Sequence, residues 1–177
     1  MSIEKFKNLE DLKEKASKIN SARSQITEGQ RPLAIQAALK EMGDYLLSQD
    51  FSLTHLTYPE RDFNAVYKEI ELNVTATEDS EHLIGADYNI FLASGSKKLT
   101  VTLNLNRGTR VNPALAHGTI DDQISDYENR YIPELESLSS DELDGSYTLS
   151  AVIKINGQNK QHKFKNGKEV IDKFFEA

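Results

Sequence analysis

The chain has 177 residues, 28 acidic against 21 basic side chains, a net charge of −7, an apolar share of 38% and no cysteine. Without cysteine there are no disulfides, zinc–thiolate sites, iron–sulfur clusters or thiol nucleophiles, and an acidic chain is a poor sequence-independent binder of nucleic acid, which needs clustered Lys and Arg. No stretch approaches the roughly 20 apolar residues that span a bilayer, and Met1-Ser2-Ile3-Glu4-Lys5 has no apolar signal core, so a cytoplasmic address is expected.

Residues 3–28 read as a helix. Leu9, Leu12, Ala16, Ile19 and Ile26 recur at three- and four-residue spacings, with Arg23 at the one interrupted position. This narrow stripe suits one arm of a helical hairpin; its other use is the seam of a homodimeric coiled coil. Gly29-Gln30-Arg31-Pro32 predicts a break, after which Pro32 opens a second helix running to Ser48. Its apolar face is Leu33, Ile35, Ala38, Leu39, Met42, Leu46 and Leu47.

From Phe51 the period becomes two, as a half-buried antiparallel strand requires. Strands are predicted around 70–76, 86–92, 99–105, 147–155 and 160–165, with Phe51 to Tyr58 as a further strand. Ser94-Gly95-Ser96-Lys97 and Asn156-Gly157 read as hairpin turns. Between the third and fourth clear strands Thr119 caps a helix, with Asp122 reaching back to it. Ile120, Ile124, Tyr127 and Tyr131 form its inner stripe, and Pro133 should end or kink it near Tyr131. Ser137 to Gly145 reads as a polar acidic loop. Val170, Ile171, Phe174 and Phe175 mark a short last helix.

The expected fold is therefore α+β, in one domain over residues 1–177. A helical hairpin (1–50) precedes a five- or six-stranded, mainly antiparallel sheet with two further helices (51–177), the helices packed on one face. In its order of elements the chain resembles small acidic secretion chaperones, a resemblance that implies a partner-binding role.

Charge is concentrated. Asp121, Asp122, Asp126, Glu128, Glu134, Glu136, Asp141, Glu142 and Asp144 share their segment with one base, Arg130, so it carries a net −8 while the whole chain carries −7. A patch of this kind steers a basic partner. These nine acids are the expected partner-binding residues, and Asp126, Glu128, Glu134 and Glu136 should lie off the apolar stripe.

The segment from Asn106 to Gly118 is long for a connection, which favours a functional loop. Arg107, Arg110, Asn112 and His117 are its candidate ligand residues, with two guanidinium forks suited to an anion. The ordinary role for the two arginines is to balance Asp121 and Asp122. A cavity between helices and sheet, lined by Tyr88, Tyr147, His55 and Arg107 and gated by this loop, would instead make a small-molecule or anion-binding protein or an enzyme.

No other chemistry is indicated. His55, His82, His117 and His162 are not at metal-ligand spacing. Asp141 to Gly145 lacks the later bidentate Glu of a calcium loop, and neither a Gly-rich phosphate loop nor a nucleophile elbow occurs. No metal or cofactor is expected. The leading expectation is a non-enzymatic binding module, a small acidic adaptor, inhibitor or immunity-type protein. Its partner would be a basic protein surface, a nucleic-acid-binding protein being one case, with no direct nucleic-acid or membrane contact. A homodimer through the first helix is a third option.

Overall fold

The period-two stretches pair into one sheet. In chain order β1 (Ser52–His55), β2 (Asp62–Tyr67), β3 (Ile70–Glu78), β4 (Tyr88–Ser94), β5 (Lys97–Leu105), β6 (Tyr147–Ile155) and β7 (Gln158–Phe164) each pair antiparallel with their sequence neighbours, giving seven strands. The structure is a computed structural model and describes residues 3–55, 62–78, 86–155 and 157–176. By internal contacts the chain divides into two compact units. Met1–Gly29 and Arg107–Asp144 form a helical unit; Gln30–Asn106 and Gly145–Ala177 form a sheet unit.

The strand missing from the sequence reading is β2, which raises the count from five or six to seven. Its connection to β3 is the two-residue turn Lys68–Glu69, with Tyr67 opposite Ile70. A tight hairpin needs positive φ, usually supplied by Gly or Asn. Here Lys68 takes it, at φ 53°, so the turn carried no sequence signal. The turn between β4 and β5 follows the expected chemistry, with Gly95 at φ 58°.

Register puts one parity of side chains on each face. Val74 faces Leu92, Ile90 faces Val101, and Leu103 faces Leu149, all at most 2% exposed. The opposite face carries Asn73, Thr75, Thr100, Thr102 and Thr148. The core side is covered by residues 34–46 of the first helix and by the C-terminal helix (Gly167–Glu176), through Ala34, Ile35, Met42, Leu46, Val170 and Phe174. The sheet register is thus the expected one, except that Ile70, at the start of β3, is 42% exposed.

The expected helical hairpin is not formed. A single helix, α1 (Ile3–Ser48), runs through Gly29 and Pro32. A proline inside a helix costs about 3 kcal/mol, so the local signal was sound. It is outweighed by an unbroken helical series of buried positions at Thr27, Arg31, Ala34, Ile35, Ala38, Met42 and Leu46. Four large apolar side chains in that series and beside it, Ile35, Leu39, Met42 and Leu46, contribute about 1.5–3 kcal/mol each. Arg31 is anchored as well: its side chain is 9% exposed, 3.4 Å from the Asp87 carboxylate and 3.0 Å from that of Glu78.

In the helical unit the expected helix after Thr119 appears in three parts: α2 (Ile120–Asp126), a π-helical segment (Tyr127–Tyr131) and α3 (Ile132–Ser137). The capping box forms as expected, Asp122 N–H donating to Thr119 Oγ1 at 3.2 Å and Thr119 N–H to the Asp122 carboxylate at 2.9 Å. Pro133 explains the π segment. Its ring collides with the carbonyl four residues back in an ordinary helix, and a π-turn is a known way of relieving such a fault. Ile132 N–H accordingly reaches back five residues to the Tyr127 carbonyl. The unit's core joins Leu12, Ala16 and Ile19 of α1 to Val111, Tyr127, Tyr131, Ile132, Leu135 and Leu138. Leu12, Ala16 and Ile19 of the stripe, for which a dimerisation seam was the alternative to a hairpin arm, therefore pack inside this unit.

Candidate functional site

The acids of the 121–144 segment lie on the solvent side of this small core, and several already hold a partner within the unit. Asp121 pairs with Lys5 at 2.7 Å and Glu136 with Lys15 at 2.7 Å. Glu128 accepts a long hydrogen bond of 3.4 Å from Asn8. These are exposed contacts, and such pairs contribute only about 0–1 kcal/mol each. Asp141 and Asp144 are exposed on the turn that includes Ser140–Glu142.

Asp126 differs from the rest. Its side chain is 13% exposed and grips Arg130 with both oxygens, at 2.6 and 2.8 Å. The Arg130 guanidinium, with the Leu115 N–H behind it, holds the Asp126 carboxyl below the usual carboxylate range. Arg130 also reaches Glu134 at 3.3 Å and the carbonyls of Asn112 and Pro113 at 3.3 and 3.0 Å. The one base of the acidic segment therefore fastens the 106–118 loop to the π-helical turn. Asp126 belongs to that fastening, which corrects its expected place on the free acidic face.

Beneath the fastened loop is a cleft of about 270 Å³ lined entirely by the helical unit. Asn20, Arg23, Ser24 and Thr27 come from α1, and Arg107, Thr109, Arg110 and Val111 from the loop. Tyr131, Leu135, Leu138 and Leu143 supply an apolar wall. A shallower groove shares Asn20, Ser24 and Tyr131 with it. Arg23, the residue that interrupts the apolar stripe, occupies the inward position between Ile19 and Thr27, whereas Ile26 falls off the stripe and is 39% exposed. Its Nη1 donates to the Ser139 carbonyl at 3.0 Å. Its Nη2 is buried without a hydrogen-bond partner. Glu142 lies beside it, its carboxyl held below the usual range by the Thr109 N–H at 2.8 Å and by Arg23.

Four sequence expectations are placed by this geometry. Arg107 and Arg110 line the cleft, while Asp121 is taken by Lys5 and Asp122 by the Thr119 cap, so balancing those aspartates is not what the arginines do. Asn112 contributes a backbone carbonyl, and His117 is exposed. The cleft is not the helix–sheet cavity expected: Tyr88 is 2% exposed in the sheet unit's core and Tyr147 packs against that core. His82 and the side chain of His55 fall outside the described residues. Arg23 was missed as a site residue, although a cation on an apolar stripe was its visible signal. Among the described residues no His, Asp and Glu cluster is placed to hold a metal, and no helix is long and apolar enough to cross a membrane. No family model, curated protein or solved structure matches this chain, so the likeness to secretion chaperones rests on element order alone.

Proposed function

We propose that this protein is a non-enzymatic protein-binding module, a small acidic adaptor, inhibitor or immunity-type protein, whose acidic helix–loop face engages a basic partner surface. One observation carries the reading. Residues 107–144 hold nine acids and three arginines, a net −6, and residues 1–29 hold six bases and five acids, a net +1. The helical unit thus carries −5 of the chain's −7. Its exposed ion pairs to Lys5 and Lys15 do not change that sum, and they are weak enough for an incoming basic side chain to replace. A field of this kind raises association rates by roughly 10 to 1,000-fold. A nucleic-acid-binding protein is one partner class that presents the complementary charge.

The test begins with a pull-down from host lysate at low and high salt, followed by stopped-flow association with the partner identified. Because Asp126 and Glu134 both hold Arg130, the informative variant is Glu128→Gln/Glu136→Gln/Asp141→Asn. It should fold normally, associate at least tenfold more slowly, and lose most of the salt dependence of the wild type. Unchanged kinetics would remove the acidic face from the mechanism. A second reading, ligand binding at the 106–118 loop, is favoured by the position of Arg107 and Arg110 in the cleft.

A further inference from the structure

We propose that the sheet face opposite the core is the interface of a symmetric homodimer, in which a second copy of the chain lies face to face on it about a two-fold axis running along β4. The inference uses the sheet unit alone and is independent of the acidic helix–loop face.

The charge of the sheet is the first argument. β2 and β3 carry Asp62, Glu71 and Glu78, and no Lys or Arg occurs in β1 to β3. β5, β6 and β7 carry Lys97, Lys98, Lys154, Lys160 and Lys163, and no Asp or Glu. β4, the central strand of the seven, has no charged residue. By the alternation of the pleat, Asp62 and Glu71 project from the open face on the acidic half, and Lys98, Lys154 and Lys163 on the basic half. The three lysines are exposed and, among the described residues, pair with no carboxylate. Glu71 is exposed too, and accepts a hydrogen bond from the neutral Asn64 amide at 2.9 Å. A face whose two halves carry opposite charge is complementary to itself.

Symmetry then selects one arrangement. Two identical sheet faces can meet about a two-fold axis that lies across the strands or along them. An axis across the strands stacks β2 and β3 on their own copies, acid on acid. An axis along β4 lays β1 to β3 on β5 to β7 of the other copy, acid on base. Asn73, Ala93 and Lys98 are level across β3, β4 and β5. The axis along β4 therefore brings Asn73 over the second copy's Lys98, and Glu71 is the next side chain on that face. Because the interface is isologous, the contact between Glu71 and Lys98 forms twice.

The third argument is what lies at the axis. Phe91, midway along β4, is 41% exposed between Thr75 and Thr100, where a solvated face calls for a polar side chain. On this axis it meets its own copy. Val66 on β2 and Val152 on β6, 39% and 67% exposed, stand on either side of it. An aromatic centre with a charged rim is the anatomy of a specific interface. Six gaps of about 4.8 Å between strands, and central strands of seven to nine residues rising about 3.3 Å each, give a face of about 700 Å². Each partner in a standard complex buries roughly 800 Å². Aligned sheets cross at about 30°, so contact is closest near β4 and the dimer is of modest affinity.

The experiment is sedimentation velocity of the full chain over a range of concentrations and salt. It should show a monomer–dimer equilibrium with a Kd of roughly 1–100 μM at low salt, weakening about tenfold or more at high salt. Phe91→Asp sets two like charges on the axis and should leave only monomer. Glu71→Lys and Lys98→Glu each turn both symmetric contacts repulsive, so each should weaken association about tenfold or more. An equimolar mixture of those two variants should recover the wild-type Kd to within about threefold, since both contacts in the mixed dimer again join acid to base. Glu128→Gln/Glu136→Gln/Asp141→Asn, on the helical unit, should change nothing. Circular dichroism checks the fold of each variant, and the two charge variants alter exposed side chains, so the test stands even where Phe91→Asp fails to fold. The proposal is overturned by a monomer at every concentration, by species that grow beyond the dimer, by a Kd unmoved in Lys98→Glu, by no recovery in the mixture, or by loss of the dimer in the helical-unit variant.

Discussion

Replacing Asp87 with alanine should cost the sheet unit about 3–5 kcal/mol, the usual penalty for breaking one side of a buried ion pair. The Asp87 side chain is 3% exposed. One oxygen lies 3.4 Å from Arg31 Nε, and the other accepts the Leu105 N–H at 2.7 Å. Alanine takes an acceptor from a buried backbone donor, worth about 1–3 kcal/mol by itself, and removes a carboxylate from a guanidinium whose side chain is 9% exposed. These losses overlap rather than add. Arg31 keeps Glu78 at 3.0 Å, but that carboxylate is 39% exposed and its attraction is partly screened. Against a total stability of about 5–15 kcal/mol the loss is large. With a urea slope near 2 kcal/mol/M, the unfolding midpoint should fall by about 1.5–2.5 M. Asp87→Asn, which keeps an acceptor for Leu105, should fall less. A double-mutant cycle with Arg31→Met should return a coupling above about 1 kcal/mol. A midpoint shift under about 0.5 M for Asp87→Ala, or a coupling near zero, refutes the reasoning.

Two further predictions follow from burial and charge. Leu103 is fully buried, so Leu103→Ala should cost about 2–5 kcal/mol by urea denaturation; Thr100→Ala, on the exposed face, should stay within about 0.5 kcal/mol, and Thr102→Ala should lose about 1 kcal/mol through its 2.9 Å bond to Ser150. The Asp126 carboxyl is depressed in the folded protein by Arg130, so its contribution is complete above the ordinary aspartate range and is lost as pH falls through the lower folded value. Asp126→Asn should therefore be less stable than wild type near neutrality, with the gap closing below about pH 4, as followed by circular dichroism; a gap that does not change with pH would place the effect elsewhere.

How much of this was legible depended on whether a residue's role agreed with its type. Leu72, Val101 and Leu149 are apolar and inward, so alternation placed their strands and faces correctly. Thr119 and Asp122 form the cap that their spacing suggested. The failures are residues acting against type. Arg23, Thr27 and Arg31 are polar yet face inward, so the buried series of α1 looked broken where it continues, and Gly29 with Pro32 completed the impression of a hairpin. Lys68 turns a hairpin without glycine, which hid β2. At the site, the loop arginines could be read, but their neighbour Arg23 is more than 80 residues away in sequence, and only folding brings it to Gly108. The acids could be counted, but not sorted into those that fasten the loop and those that face solvent.

The helical unit is discontinuous along the chain, and this dictates an order in time. Every strand of the sheet pairs with its sequence neighbour, so β1 to β5 can assemble as they are made. The first turns of α1 must wait: Lys5 meets Asp121, Asn8 meets Glu128 and Arg23 meets Ser139 across separations of 116, 120 and 116 residues. At roughly 5–20 residues per second, the nascent segment spends on the order of ten seconds before its partners leave the ribosome. Its sparse stripe is suited to that wait, since Leu9, Leu12, Ala16 and Ile19 are separated by charged side chains and Ser17 and offer neighbours little apolar surface. A chain released after residue 106 would carry five strands and an N-terminal segment with no core of its own. Residues 3–29 should then be cut by protease while the hairpins resist, and the same segment should become resistant only once Asp144 has been added.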